Sequence, residues 1–334
     1  MFKFSSMKVL VVVHHHFELW NVPTWFKRRL PREFPGIDVL FLDTYQGIEN
    51  EIHDAEVLFT ISLRADQFLA ARRLRWIHSP SAAVHHFLFP ELVNSDVVLT
   101  NSRDVHGPVV AEHVLALMFA LAKKIPQSVI MQQRKIWGQE EIWKERSHPR
   151  ELSGATLGLI GVGSIGSRVA QMASMIGMRV IAVREHVEKG TPPGVEKVFG
   201  SDSIDELLGQ SDYVVMAAPL IGSTQALMNA DRFARMKPDA FLINVGRGAQ
   251  VDEVALADAL RNRRIAGAAL DVFEQEPLPA DSPLWELENL LITPHTAGMT
   301  DKLWLRHYEL FSDNLRRFIA GQPLRFVVDK RKGY

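Results

Sequence analysis

The feature that most constrains the fold is a glycine pattern in the middle of the chain. An apolar run at residues 156–160 is followed at once by G-x-G-x-x-G at residues 161–166, and then by an amphipathic segment. This order is typical of a strand, a tight turn and a helix whose N-terminus binds a pyrophosphate. A second apolar run at residues 178–183 lies at the distance expected of a βαβ unit. The context therefore favours a dinucleotide-binding unit over an ordinary glycine-rich turn.

The residues before the fingerprint (residues 161–166) must form a second structural unit. Apolar runs that read as short strands alternate there with helical patterns, which predicts a parallel sheet covered on both faces. A long apolar helix is predicted over residues 108–124, and a further helix with an irregular connection over residues 125–150. The five predicted strands cover residues 8–13, 38–42, 57–60, 74–78 and 97–100.

The same alternation continues after the fingerprint and predicts a doubly wound nucleotide domain. Helices are predicted between the strands, for example at residues 203–208 and 253–262, and a final amphipathic helix at residues 300–320. The later predicted strands cover residues 213–216, 240–244, 266–270 and 290–293.

Composition narrows the class of protein. The 334 residues are enough for two domains, and 47% hydrophobic with 23% charged residues is ordinary for a soluble protein. With 38 basic and 39 acidic residues, no charge excess favours nucleic acid or an anionic membrane as partner. The absence of Cys excludes disulfides and thiolate chemistry. No signal peptide or membrane-spanning run is recognised, so we expect a cytoplasmic protein.

Three polar segments in the second half carry candidate chemistry. Residues 244–248, 271–277 and 293–298 each follow a predicted strand, so all three lie at the edge where open α/β sheets bind ligands. Arg247, Glu276 and His295 could meet there in one crevice.

The chain resembles the D-isomer-specific 2-hydroxyacid dehydrogenases over nearly its whole length. The resemblance rests on residues 81–86, 111–113, 161–166 and 217–220 together with the three polar segments. It implies an α/β protein with two doubly wound parallel-sheet domains. A Rossmann cofactor domain at residues 103–295 would be inserted into a discontinuous flavodoxin-like substrate domain formed by residues 1–102 and 296–334. It also implies a homodimer that pairs through residues 108–150.

The resemblance assigns roles to the polar residues, and elementary chemistry agrees with them. Arg247 would hold the carboxylate of a small 2-keto acid with its planar guanidinium, helped by the backbone N–H groups of Ala82 and Ala83. His295 would supply the proton as general acid/base, and Glu276 would orient its ring. The family usually has Gly at the position of Ala83 and Asp at that of His85, so we expect a narrower pocket or a shifted loop here.

The resemblance also implies a nicotinamide cofactor. An Asp that accepts from the ribose hydroxyls in NAD-preferring relatives is replaced by Arg184, which favours NADP, although NAD remains possible because Glu185 could serve the ribose. In the family, the position of Asp271 lies near the nicotinamide carboxamide. The predicted cofactor-binding residues are Gly161, Gly163, Ser164, Ile165, Gly166, Arg184, Ala218, Pro219, Val245, Gly246, Asp271 and Gly298.

The leading hypothesis is therefore NAD(P)-dependent reduction of a glyoxylate-like or hydroxypyruvate-like 2-keto acid to the D-2-hydroxy acid. The alternative is a dinucleotide-sensing interaction protein, because co-repressors of the same fold share these motifs. Formate dehydrogenases carry Gln where Glu276 stands, so Glu disfavours that activity. The run His14-His15-His16 invites a metal site, but adjacent histidines in an extended chain cannot all face one ion, and no metal is expected.

Overall fold

The computed structural model describes residues 7–333, so residues 1–6 and 334 of the predicted substrate domain lie outside the described part. The chain divides into two compact units. Unit 1 contains the described residues up to His106 and those from Thr300 onward, and unit 2 is Gly107–Met299. The sequence-based boundaries were placed at residues 102 and 295, slightly earlier in both cases.

Each unit is built around one sheet in which all strand pairs are parallel, which confirms the predicted fold class. Apolar, β-branched runs form these strands because both of their faces are covered by helices. The strands are β1 (Lys8–Val12), β2 (Asp38–Leu42), β3 (Val57–Thr60), β4 (Trp76–Ser79), β5 (Val98–Asn101), β6 (Thr156–Ile160), β7 (Arg179–Val183), β8 (Lys197–Phe199), β9 (Tyr213–Met216), β10 (Phe241–Asn244), β11 (Gly267–Leu270) and β12 (Leu290–Ile292).

Helices connect most of the strands. They are α1 (Thr24–Glu33), α2 (Ile48–Ile52), α3 (Ala65–Ala70), α4 (Pro90–Val93), α5 (Gly107–Ala122), α6 (Ile125–Gln133), α7 (Gln139–Lys144), α8 (Ser164–Met175), α9 (Ile204–Gln210), α10 (Ala230–Phe233), α11 (Glu253–Arg261) and α12 (Leu303–Ile319). Short 3₁₀ turns lie at Glu18–Trp20, His85–Phe87, Val187–Lys189, Ser201–Ser203, Gly222–Thr224, Gly248–Gln250 and Pro283–Glu286.

Unit 1 has the strand order β2-β1-β3-β4-β5, the flavodoxin-like arrangement that the resemblance implied. The returning helix α12 belongs to its core, because the ring of Phe26 in α1 lies 5.0 Å from that of Tyr308 and 5.9 Å from that of Trp304. Phe311 of the same helix stacks on Phe59 at 4.8 Å. The aromatic face of α12 thus packs on the sheet of unit 1, whose first strand lies near the N-terminus.

Unit 2 has the strand order β12-β11-β10-β9-β6-β7-β8, which is the Rossmann order with one further strand at the β11 edge. The order reverses at β6 and β9, so the crevice beside their carboxyl ends is the expected ligand site. Separate apolar clusters cover the two faces of the sheet, one including α5 and α8 and the other including α9 and α11.

The long helix predicted over residues 108–124 is shorter in the structure. It ends at Ala122, because Lys124 adopts a left-handed backbone at φ +57° and Pro126 lies in the first turn of the next helix. Within residues 7–333, no individual helix has the length and apolar character needed to cross a membrane. The consecutive pair α5 and α6 would pass such a test together, but it bends by 65°.

Candidate active site

The predicted catalytic residues lie on three loops that leave one edge of the unit 2 sheet. Arg247 follows β10, Glu276 lies on the loop after β11, and His295 follows β12. These three strands are neighbours in the sheet and run parallel, so their loops emerge side by side. The fingerprint follows β6 at the same edge.

His295 and Glu276 form a direct pair. His295 Nδ1 lies 2.6 Å from Glu276 Oε2, and the other carboxylate oxygen accepts from the Phe273 N–H at 2.9 Å. A carboxylate only accepts, so Nδ1 carries the proton of the neutral ring and Nε2 is left to exchange protons with a ligand. The His295 side chain is 54% exposed, which leaves the ring reachable.

Arg247 is held by its own loop and is half-buried. Its backbone N–H donates to Gln250 Oε1 at 2.9 Å, and its carbonyl accepts from Asn244 Nδ2 at 3.1 Å. Burial lowers the pKa of the Arg247 guanidinium, and the negative charge of Glu276 acts in the opposite direction. The half-buried guanidinium of Arg247, near Glu276, is a suitable anchor for the carboxylate of a ligand.

Gly248 explains how the Arg247 and Glu276 loops come close. A Cβ atom at this position would lie 1.8 Å from the carbonyl carbon of Phe273, so no other residue fits without moving one of the two loops. Glu253 Oε1 accepts from the Glu274 N–H at 2.7 Å and ties α11 to the same loop. Burial raises the pKa of Glu253, and the charges of Glu274 and Glu276 add to that rise.

The fingerprint glycines have the three different surroundings that a pyrophosphate site requires. Gly161 has φ +98°, and an added Cβ would lie 2.7 Å from the Ala218 nitrogen. An added Cβ at Gly166 would lie 2.1 Å from the Gly161 carbonyl oxygen, because α8 packs tightly on the turn. An added Cβ at Gly163, by contrast, would meet no atom within 4 Å beyond its chain neighbours. The open backbone at Gly163 and the N-terminus of α8 fit a dinucleotide phosphate.

The other predicted cofactor residues of unit 2 lie at the start of α8 or on loops that follow strands of the same sheet. Ala218 and Pro219 carbonyls both accept from Gln250 Nε2 at 3.2 Å, and Gly246 N–H donates to Asn244 Oδ1 at 3.0 Å. Ser164 begins α8. Ile165 and Val245 pack in the apolar core rather than presenting polar atoms. Gly298 is half-buried on the loop after His295.

Arg184 follows β7, at the position where a 2′-substituent of the cofactor ribose is read in this fold. The residue is half-buried, and its Nη1 donates to the Gly190 carbonyl at 3.1 Å. Glu185 is exposed beside it.

The two predicted backbone donors, Ala82 and Ala83, belong to unit 1. The Ala83 N–H donates to Ser81 Oγ at 3.2 Å, and the Ala82 carbonyl accepts from Asn101 Nδ2 at 2.9 Å. His85 and His86 are exposed. His15 Nδ1 accepts from the Phe17 N–H at 3.0 Å, as a neutral ring does. Across residues 7–333 no group of three or more Asp, Glu or His side chains is placed to hold a metal ion.

Sequence reasoning left several supporting residues without a role. His113 lies in a motif that carried the resemblance, yet only the structure shows that its Nε2 lies 3.2 Å from Thr293 Oγ1. Asn244, Gln250 and Glu253 were likewise unassigned. Gln250 and Glu253 act on loops distant in the sequence, which leaves no local signal. Asn244 restrains its own loop at Gly246 and Arg247.

The comparisons with known proteins agree with the geometry. The family model "D-isomer specific 2-hydroxyacid dehydrogenase, NAD binding domain" matches residues 115–297. A glyoxylate reductase of Korarchaeum cryptofilum is 35% identical over 274 residues, which cover 79% of each chain. A D-3-phosphoglycerate dehydrogenase of Methanocaldococcus jannaschii is 32% identical over 291 residues, or 86% of this chain and 54% of the longer relative.

A solved structure leads to the same family. The NADPH-dependent glyoxylate/hydroxypyruvate reductase of Sinorhizobium meliloti, in complex with NADP and sulfate, has a TM-score of 0.81 at 27% identity and covers 98% of this chain and 100% of its own. The fold and site define a nucleotide-binding α/β oxidoreductase. The chain belongs to the D-isomer-specific 2-hydroxyacid dehydrogenase family, which confirms the resemblance seen in the sequence.

Proposed function

We propose that this protein reduces a small 2-keto acid of the glyoxylate or hydroxypyruvate type to the D-2-hydroxy acid, with NADPH as the preferred reductant. The observation that carries the proposal is the His295–Glu276 pair, with Nδ1 and Oε2 2.6 Å apart at the sheet edge that also holds Arg247 and the fingerprint. Such a pair is a proton donor with a fixed ring orientation.

The substrate carboxylate is assigned to Arg247. A guanidinium offers two parallel N–H donors to the two oxygens of a carboxylate, and this fixes the plane of the keto acid. The half-buried setting strengthens the ion pair relative to one in open water. The backbone N–H groups of Ala82 and Ala83 are proposed as further donors; that of Ala83 must leave Ser81 Oγ to serve.

The proton is assigned to His295 Nε2. A nicotinamide cofactor bound at the fingerprint would supply the hydride that reduces the keto carbon. His295 donates its Nε2 proton to the carbonyl oxygen, which becomes the hydroxyl of the product. The ring stays bonded to Glu276 through Nδ1, so the carboxylate stabilises the protonated imidazole before the transfer and holds it in place.

The preference for NADPH rests on Arg184. A guanidinium after β7 offers charge and donors to a 2′-phosphate, where a carboxylate would repel it. The Sinorhizobium meliloti relative is named as NADPH-dependent, which supports the same choice. Exposed Glu185 is the residue that would serve NAD instead.

A homodimer is also proposed, through the helices that precede the fingerprint. This segment carries large apolar side chains that are exposed within the described chain, and Trp137 is 90% exposed. A mass by light scattering at micromolar concentration tests the assembly, and a monomeric value would overturn it. The exposed apolar residues are Phe119, Ile125, Val129, Ile130, Ile136, Trp137 and Trp143.

The activity is tested by a panel of keto acids with each cofactor. Glyoxylate, hydroxypyruvate, pyruvate and phosphohydroxypyruvate are followed by absorbance with NADPH and with NADH. We expect turnover of the two small acids first named and a higher kcat/KM for NADPH, reversed by Arg184→Asp. Tight dinucleotide binding without turnover of any acid would instead favour the co-repressor-like alternative. A clear preference for NADH would overturn the cofactor assignment alone.

A further inference from the structure

The loop that carries His295 has an unusual backbone. His295 has φ +52°, in the left-handed region that non-glycine residues rarely adopt. Its N–H donates to the Asp271 carbonyl at 2.9 Å and to the Thr293 carbonyl at 3.0 Å. Something in the surroundings must hold this conformation, because an isolated loop would relax from it.

The side chain of Asp271 supplies that restraint. Its Oδ1 accepts from Thr293 Oγ1 at 2.6 Å and from the Thr296 N–H at 2.9 Å, and its Oδ2 accepts from the Ala297 N–H at 3.0 Å. Asp271 is 1% exposed, so these bonds are shielded from water. The buried carboxylate of Asp271 thus binds the loop through hydrogen bonds on both sides of His295.

His113 of α5 completes the arrangement. The Thr293 hydroxyl has one proton, which goes to the Asp271 carboxylate because that group only accepts. The contact of 3.2 Å between His113 Nε2 and Thr293 Oγ1 is therefore a donation from the imidazole. Burial lowers the pKa of His113 although the Asp271 charge opposes this, in keeping with a neutral ring. The donation to Thr293 then places the ring proton on Nε2.

We infer that Asp271, Thr293 and His113 are positioning residues for His295: they fix its loop in the left-handed conformation and so aim its ring from Glu276 toward the substrate. The inference rests on the proposed function, in which His295 is the proton donor. It goes beyond the predicted role of Asp271 beside the cofactor, because the bonds of its carboxylate are directed to residues 293–297.

Asp271→Asn tests the inference directly. The Asn amide keeps one acceptor oxygen. Its NH₂ group replaces the other carboxylate oxygen of Asp271 and faces N–H or O–H donors that this oxygen accepts from in the parent protein. We expect kcat to fall about tenfold to a hundredfold, since a misplaced catalytic group costs on that order. We expect this fall at saturating dinucleotide, whose Kd is measured by protein fluorescence because Asp271 is also among the predicted cofactor-binding residues. A variant with unchanged kcat, or with a weakened Kd and a normal kcat, would overturn the inference.

Thr293 provides a milder matched pair if Asp271→Asn does not fold. Thr293→Ser keeps the hydroxyl between His113 and Asp271, whereas Thr293→Val keeps the shape and removes the hydroxyl. We expect the serine variant to retain near-normal kcat and the valine variant to lose several-fold. Equal kcat values in the two variants would contradict the role of the hydroxyl.

A readout that needs no turnover separates this inference from the proposed function. Amide hydrogen exchange at residues 295–297 should be slow in the parent and Thr293→Ser proteins and at least tenfold faster in Thr293→Val. If the loop loosens in this way but no keto acid is reduced by the parent protein, the positioning holds and the proposed function fails. Unchanged exchange in Thr293→Val would overturn the positioning itself.

Discussion

Each unit carries a histidine at or after the end of a parallel strand, and the two have opposite surroundings. His78 in β4 of unit 1 is fully buried, and its ring nitrogens face hydroxyl groups, with Nδ1 2.8 Å from Thr100 Oγ1 and Nε2 3.3 Å from Ser102 Oγ. His295 of unit 2 is exposed and bonded to a carboxylate. Burial lowers the pKa of His78 to about 3, so this ring stays neutral near pH 7. His295, by contrast, is proposed to exchange protons with a ligand.

The hydrogen bonds of His78 form a closed chain. The Ser102 hydroxyl donates its one proton to the Ser79 carbonyl at 3.0 Å, so His78 Nε2 donates to Ser102 Oγ. Nδ1 of the neutral ring therefore accepts from the Thr100 hydroxyl, whose oxygen also accepts from Trp76 Nε1 at 2.8 Å. Every proton has an assigned acceptor, so the ring has no capacity for a ligand. The comparison teaches that partner and exposure, rather than residue type, separate a structural histidine from one that is proposed to exchange protons.

The largest expected effect comes from removing His295, the proposed proton donor. His295→Ala should lower kcat by about 10²–10⁴-fold, the usual contribution of general acid–base catalysis, while the dinucleotide Kd stays normal. Steady-state kinetics with the best keto acid and a fluorescence titration measure the two quantities. The matched control is exposed His53, whose replacement by Ala should leave kcat unchanged. Near-normal kcat in His295→Ala would remove the distinction between the two histidines.

A smaller effect is expected when the positive charge of Arg247 is kept but its planar guanidinium is replaced. Arg247→Lys retains a cation but loses the bidentate fork, and a hydrogen bond to a charged group contributes about 1.5–3 kcal/mol. We expect kcat/KM for keto acids to fall about tenfold to a hundredfold at unchanged dinucleotide Kd. Exposed Arg261→Lys on α11 is the control. An unchanged kcat/KM in Arg247→Lys would mean that another group binds the carboxylate.

The sequence predicted the chemical site better than its supports. Strand ends and the fingerprint can be recognised locally, and the family resemblance assigns roles there, so Arg247, Glu276, His295 and the three glycines are candidates from the sequence. His113 and Thr293 could not be paired, because 180 residues separate them and the motifs that contain them do not indicate that the two side chains meet. The left-handed backbone of His295 was equally hidden, since it depends on the buried carboxylate of Asp271 and not on local propensity.

The elements of the fold, like the site residues, were predictable where the signal is local and strong. Long apolar runs predict most strands of both sheets, whereas the three residues of β8 carry too little periodicity to predict a strand. The short helices α2 and α4 lie where helical patterns are expected, but the sequence does not define their bounds. The end of α5 was also misplaced. Lys123 and Lys124 suit the C-terminal end of a helix dipole, which favours a helix end at residue 124. The left-handed conformation of Lys124 has no signal in the residue itself.

The smallest expected effect concerns the structural histidine and appears in stability rather than in activity. The folded pKa of His78 is about 3, and its ordinary value is 6.5, so between these pH values the unfolded chain binds the proton and the folded protein does not. The contribution of His78 to stability is therefore complete above pH 6.5 and is lost on acidification, by up to about 1.4 kcal/mol per pH unit. Chemical denaturation at pH 7, 6 and 5 should show this fall in the parent protein and in the exposed control His53→Gln. In His78→Gln, whose amide can still donate and accept, the slope with pH should be shallower whatever its stability at pH 7. An equal slope in His78→Gln and the parent protein would show that other groups cause the acid sensitivity, and the contrast between the two histidines would then rest on activity alone.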